Sequence, residues 1–545
     1  MAGINPFLLL TLGIAVSLLV VPLLTRLAPR LGLIDFPDPR KVHATPVPRV
    51  GGWGIVIGGL VPVLLSFGLD SLVQSFVFGA AVLFAFGVWD DARELGHWTK
   101  FVGQALAVAT VVFYGDLYVT RLPFVDADWL SPLAGKCFTM FALIGAINAI
   151  NHSDGLDGLA AGESLLTLVA TAVLGYVVGD GLAVGISLAM IGGILGFLRY
   201  NSHPARVFMG DAGSQVLGFT LGFLAVYLTQ VAHTALSAAL PLLLLGLPIA
   251  DIVAVLCQRI RGGRHWFKAT RNHVHHRLLA LGFDHYETVI VIYSIQAALV
   301  ISGVLLRYYT DATVAAVYLA VIGTLFVTLI LAERNEWHIR RATASPSGIE
   351  TAVRYLAQDG FMRRTSLGVI SVLVPAVMLF GSVWVTTVPR DFAIAAGVLA
   401  TVVLAETLRT RGGRSLLARA AVYAAAIFCA YLLILYPRSE EALMHAVTLG
   451  AMAVLTGAIA AYVRFAPKQE FSTTPTDYLV VFGVLALIVF GTVDTSSRVI
   501  VGPVVFATIL LYGCEVALAR GSQRFPVMHV AAFATLAILA LRGAL

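Results

Sequence analysis

The strongest constraint in this sequence is a succession of nearly uncharged apolar stretches, running from residues 7–28 almost to the last residue. A helix needs about 20 apolar residues to cross a bilayer, and only a helix or a closed barrel satisfies its own backbone there. Of the 545 residues, 59% are apolar and 12% charged, where a soluble domain carries about 25% charge. Mean hydropathy is +0.89. These values exclude a soluble enzyme, a disordered chain and a disulfide-stapled secreted module. The expected fold is all-α: a polytopic helical membrane protein.

Eleven spans are expected near 7–28, 51–68, 72–89, 99–115, 133–150, 162–178, 181–198, 213–232, 235–257, 286–307 and 312–332. Together they form an expected core over 1–332. A polar linker over 333–365 follows, with a short amphipathic helix expected around Ile349–Leu356. Seven further spans are expected within a C-terminal extension over 366–545. The first stretch has neither a basic leader nor a small-residue cleavage site, so it reads as a spanning helix and not as a signal peptide.

Basic residues sort by loop. Before residue 365 the even-numbered connections hold Arg121, Lys136 and Arg307, and the odd ones with the linker hold twenty-one Lys and Arg. The positive-inside rule then places the odd loops in the cytoplasm and the N-terminus outside. The net charge of +6 fits loops facing anionic lipid, and no aromatic–basic interleaving suggests nucleic acid. Cys137, Cys257, Cys429 and Cys514 form no pair by spacing and read as small apolar residues.

Five of the interior loops concentrate polar side chains. The first holds Asp35, Arg40, Lys41, His43 and Arg49; the second Asp90 and Asp91. The third holds Asn148, Asn151, Asp154 and Asp157, the fourth Asn201, His203, Arg206 and Asp211, and the fifth His273, His275, His276 and Arg277. Each has a plain reading: helix ends at Asp90 and Asp91, turns at the Asp-Gly pairs, a helix cap at Asp211, topology anchors at Lys41 and Arg49. Their coincidence on a single face favours chemistry between phosphates. Mg²⁺ takes hard oxygen ligands, usually one or two carboxylates with waters and substrate phosphates, and Asp90, Asp91, Asp211 and the Asn151 amide oxygen are suitable. No thiolate cluster suggests structural zinc, and no phosphate-binding Gly-Lys-Ser/Thr loop suggests an ATP-driven pump.

These motifs resemble the polyprenyl-phosphate N-acetylhexosamine-1-phosphate transferases. That family includes bacterial undecaprenyl-phosphate GlcNAc-1-phosphate transferases and the phospho-MurNAc-pentapeptide translocase. The resemblance covers about 1–332 and rests on Asp90 and Asp91; Asn148, Asn151, Asp154 and Asp157; Met209, Gly210, Asp211 and Ser214; and His273, His275, His276, Arg277 and Leu278. The histidine pattern is similar to the GlcNAc branch, so the resemblance implies a UDP-GlcNAc donor, with another UDP-HexNAc or UDP-MurNAc-pentapeptide as alternatives. It also implies a polyprenyl (undecaprenyl) phosphate acceptor, Mg²⁺ (or Mn²⁺) as cofactor, release of UMP, and a cytoplasmic-face site in the inner membrane. By the same resemblance Asn151 and Asp211 hold the metal, and Asp90, Asp91 and His276 are catalytic. Lys41, His43, Asp154, Asp157, Asn201, His273 and His275 bind substrate. Direct attack by the lipid phosphate is the expected route, with an aspartyl-phosphate intermediate as the alternative.

Three expectations concern other regions. Asp251, within the ninth span, reads as a structural partner to a neighbouring helix; the alternative is that it orients the histidine loop. The extension reads as a structural or interaction module, able to handle the lipid product or dock a later glycosyltransferase; a homodimer is a separate expectation. The rival class is a flippase for a polyprenyl-linked sugar, but transporters gather polar groups at the bilayer midplane between inverted repeats, and these gather at one face.

Overall fold

The computed structural model describes residues 6–37, 45–125, 130–263, 272–339, 360–409, 416–436, 442–465, 475–493, 498–519 and 525–544. The chain divides into two compact units, Met1–Ala342 with Thr474–Ala486, and Thr343–Thr473 with Leu487–Leu545. Among the described residues, twelve helices are long and apolar enough to cross a membrane. The protein is an all-α, multi-pass membrane protein. The helix expected around Ile349–Leu356 lies outside the described residues.

In the first unit the helices are α1 (Pro6–Leu31), α2 (Gly51–Ser66), α3 (Ser71–Arg93), α4 (His97–Ala109), α5 (Pro132–Ser153), α6 (Leu159–Val178), α7 (Gly181–Asn201) and α8 (Gly210–Tyr227). They are followed by α9 (Pro241–Leu244), α10 (Gly246–Arg261), α11 (Val274–Ala280), α12 (His285–Leu305) and α13 (Asp311–Arg334). Both α4 and α8 end in a π-helical turn, at Thr110–Tyr114 and Leu228–Ala232. One two-stranded antiparallel ribbon pairs β1 (Ile34–Asp35) with β2 (Val47–Pro48).

The helix α8 is the axis of this unit: 89% of its apolar window is enclosed, and α3, α5 and α2 pack on it. Two glycines permit that approach. A Cβ on Gly87 would lie 2.4 Å from Ala212 Cα, and one on Gly52 would lie 2.3 Å from the Gly213 nitrogen. Both contacts fall on the first turn of α8, so the close packing brings the end of α3 beside Asp211. α1 and α2 pack in turn on α7.

The expected ninth span, 235–257, is not one helix. It breaks at Leu245 into α9 and α10. The cause is Pro248, which has no N–H to give the carbonyl four residues earlier. That carbonyl, on Leu244, instead accepts from Thr167 Oγ1 at 2.8 Å and Gln296 Nε2 at 2.9 Å. The fifth interior loop also differs from expectation, because His275 and His276 sit on the short helix α11.

The second unit contains α14 (Phe361–Trp384), α15 (Arg390–Arg409), α16 (Leu416–Leu435), α17 (Ala442–Phe465), α19 (Arg498–Ala519) and α20 (Phe525–Ala544); α18 (Pro475–Val493) spans the division. Packing of α15 on α20, α16 on α19 and α14 on α17 buries a core that includes Ile370, Met378, Ala426, Leu510 and Leu536. Arg542 donates to the carbonyls of Ser382 and Val383 at the end of α14, satisfying acceptors a helix end leaves open.

Candidate active site

The ends of α3, α5 and α7 and the starts of α4, α6, α8 and α12 meet around a cleft of about 780 Å³. Asp90, Asp91, Lys100, Asp154, Asp157, Asn201, Asp211 and His276 all line it. That volume is in the range of small-molecule sites, roughly 300–1,000 Å³.

At its centre Lys100 Nζ lies 2.6 Å from Asp90 Oδ2 and 2.8 Å from Asp211 Oδ2. The other Asp90 oxygen accepts from the Leu95 amide at 2.6 Å. Asn151 Nδ2 donates to Asp211 Oδ1 at 3.1 Å and to Ser214 Oγ at 2.8 Å. This leaves the Asn151 amide oxygen without a partner among the described residues. Gln104, Asn148 and Gln215 form an adjoining amide cluster, joined by Asn148 Nδ2 to Gln104 Oε1 at 2.8 Å and Gln104 Nε2 to Gln215 Oε1 at 3.2 Å.

Asp91 is placed differently from its neighbour. Its two oxygens accept from the amides of Asp211 and Ala212, at 2.9 and 3.2 Å. It therefore caps α8 from another helix, compensating amides that would otherwise be orphaned and stabilised by the helix dipole. The cap expected of Asp211 itself is not made: Met209 occupies the cap position without a side-chain bond. Gly210, between them, has φ of 72° and faces the Asp91 carboxylate so closely that a Cβ would lie 2.5 Å from Oδ2.

Asn201 is 4% exposed, and its amide is held at both ends, accepting from Gly158 N–H at 2.8 Å and donating to the Val207 carbonyl at 2.8 Å. It joins the third and fourth loops at the cleft wall. Asp154 has no hydrogen-bond partner for its carboxylate among the described residues. Burial, and then the charges of Asp211 and Asp157, push it up to about 7.

Of the three loop histidines, the structure brings His276 to the cleft. His273 and His275 are buried, at 7% and 3% exposure, and are not among the described residues that line it. The reason is Asp251, whose oxygens take His273 Nδ1 and the Val274 amide, both at 2.8 Å. Asp251 thus orients the histidine helix, the alternative weighed for it. Arg277 fixes the same helix through Glu333, with Nε to Oε1 at 2.6 Å and Nη2 to Oε2 at 2.8 Å. Burial, then His276 and His273, push His275 down to about 3, so it is neutral. Its ring sits 4.2 Å from that of His276.

The sequence reading missed Lys100. A lysine in the first turn of a helix opposes the helix dipole, and that was the available signal for an acidic partner. The donor set suits a hard divalent cation: a carboxylate at Asp211 and an unpartnered amide oxygen at Asn151, with the Lys100 ammonium now pairing the carboxylate oxygens such a cation would take. Lys41 and His43 lie outside the described residues.

A family model for glycosyl transferase family 4 matches residues 73–229, which include every acid and amide at the centre of the cleft. The chain is 35% identical over 297 residues to a probable undecaprenyl-phosphate N-acetylglucosaminyl 1-phosphate transferase of Bacillus subtilis, covering 54% of this chain and 82% of that protein. The chain belongs to glycosyl transferase family 4. A decaprenyl-phosphate N-acetylglucosaminephosphotransferase of Mycobacterium tuberculosis is 34% identical, over 49% of this chain and 74% of its own length. The undecaprenyl-phosphate alpha-N-acetylglucosaminyl 1-phosphate transferase of Escherichia coli K12 is 31% identical, over 52% and 79%. These family 4 relatives align with about half of this chain. The family 4 match includes both Asp91 and Gly210, the pair whose close contact fixes the start of α8.

Proposed function

We propose that the protein transfers GlcNAc-1-phosphate from UDP-GlcNAc to a polyprenyl phosphate at the cytoplasmic face of the inner membrane, releasing UMP. The observation that carries this reading is the Asp90–Lys100–Asp211 bridge, with Asn151 on Asp211, inside a cleft of nucleotide-sugar size. The names of the family 4 relatives support the same donor sugar and lipid class. The bias of basic residues toward the loops that carry the site supports the cytoplasmic assignment.

In this reading an oxygen of the lipid phosphate attacks the sugar-proximal phosphorus. A new phosphorus–oxygen bond forms, the anhydride bond to UMP breaks, and the electron pair leaves on UMP. Two anions must meet, so most of the barrier is electrostatic. Lys100 offsets the charge of Asp90 and Asp211 and so lets an acid stand near an incoming phosphate. Asp90, pinned by Leu95 and Lys100, positions the nucleophile in its ionised form. Asp91 holds the first turn of α8, and hence Asp211, in place. His276 faces the diphosphate, and Lys41 and His43 of the first loop add cationic and hydrogen-bonding groups. Asp211 and the Asn151 oxygen would hold Mg²⁺, which when bound neutralises the diphosphate and eases departure of UMP. Both oxygens of Asp91 are already engaged, which favours direct attack over an aspartyl-phosphate at that residue.

The test is purified full-length protein with polyprenyl phosphate and competing UDP-sugars. UMP release with UDP-GlcNAc preferred supports the reading. Transport of a lipid-linked sugar without UMP release overturns it in favour of a flippase.

A further inference from the structure

Among the described residues, one group of three metal-ligating side chains stands close enough to share an ion: Asp157, His203 and His285, whose donor atoms lie within 4.8 Å of one another. They come from three separate places, the turn before α6, the connection between α7 and α8, and the first residue of α12. Each is anchored, two of them through the neighbours of another member of the group. Asp157 Oδ2 accepts from the Ala205 amide at 3.0 Å, and the His203 carbonyl accepts from Tyr286 at 3.2 Å. His285 opens a helix closed by a reciprocal Asp284–Glu287 capping box. The side chains therefore converge through fixed backbone and not through a mobile surface.

Two features of the trio point to a ligand. His203 Nδ1 contacts Asp157 Oδ2 at 2.6 Å, so an imidazole and a carboxylate already stand within reach of one ion. The His285 ring stacks on His203 at 4.0 Å, and its Nδ1 is buried without any hydrogen-bond partner. A buried imidazole nitrogen with no partner leaves a costly polar group that an ion would satisfy.

We propose that Asp157, His203 and His285 form a second metal site, selective for Zn²⁺ over Mg²⁺. Two imidazoles with one carboxylate suit a borderline cation bound at about 2.0–2.2 Å, whereas Mg²⁺ prefers oxygen throughout. All three residues line the cleft, so the remaining coordination position opens toward it.

The test uses the full-length protein, stripped with chelator, returned to excess Mg²⁺ and titrated with Zn²⁺. One tightly bound Zn²⁺ per chain is expected, with X-ray absorption reporting two imidazoles, and with unfolding shifted to higher temperature by the bound ion. His203→Asn and His285→Asn should each weaken Zn²⁺ by roughly tenfold or more, and abolish the thermal shift. No Zn²⁺ binding in excess Mg²⁺ overturns the proposal. So does binding unchanged in both variants, or an absorption signature of three imidazoles, which would place zinc on His273, His275 and His276. The wild-type spectrum decides the matter even if a variant does not fold.

Discussion

Adjacent residues with the same chemistry do different work here. Asp90 offers its carboxylate to Lys100 and a loop amide, whereas Asp91 gives both oxygens to the start of α8. Asp90→Ala should therefore lower kcat by about 10²–10³ with little change in unfolding temperature. Asp91→Ala should lower activity and also destabilise the fold by about 1–2 kcal/mol, the loss of a helix cap. Paired UMP-release and thermal-unfolding measurements check this, and equal thermal stability of the two variants would contradict it. His275 yields a pH prediction. Its folded value is about 3 against an ordinary 6.5, so the unfolded chain binds the proton first. Its contribution to stability is complete above about 6.5 and is lost as pH falls toward 3. Unfolding temperature should drop over that window, and His275→Asn should flatten the slope. The sequence singled out candidate residues, several of which line one cleft, but not these divisions of labour. The loops around Asp90, Asp91 and Asp211 could be recognised by their spacing, whereas Lys100 sits in no motif and becomes legible only once α3, α4 and α8 are packed.

At the scale of the element, the helices were legible from hydropathy because each long span is set by bilayer thickness. The exception is informative. Residues 235–257 are apolar enough to read as one span, and a single proline residue opens them into α9 and α10. The partners of the freed Leu244 carbonyl, Thr167 and Gln296, lie on α6 and α12, far away in sequence. No local pattern could reveal them. Thr167→Val with Gln296→Leu should destabilise the protein by about 1–3 kcal/mol, the cost of an orphaned buried acceptor. Adding Pro248→Ala returns a backbone donor to that carbonyl and should recover much of the loss. A triple variant no more stable than the double one in thermal unfolding would refute this account of the break.

For the whole molecule, the described residues that line the cleft all lie before residue 286, in the first unit. A chain ending at residue 342 should retain sugar-1-phosphate transfer in membranes; loss of transfer by a truncated chain that inserts and folds would assign the second unit a part in the chemistry. The central claim is that Asp211 and Asn151 hold a divalent cation while Asp90 and Lys100 organise the reacting phosphates. Its most direct test is UMP release by the full-length protein across a Mg²⁺ titration, for the wild type, Asp211→Asn and Asn151→Ala. The account predicts no release in chelator, a loss of about 10²–10³ in Asp211→Asn, and a requirement for more Mg²⁺ in Asn151→Ala. Undiminished release in chelator, or full activity in Asp211→Asn, would contradict it.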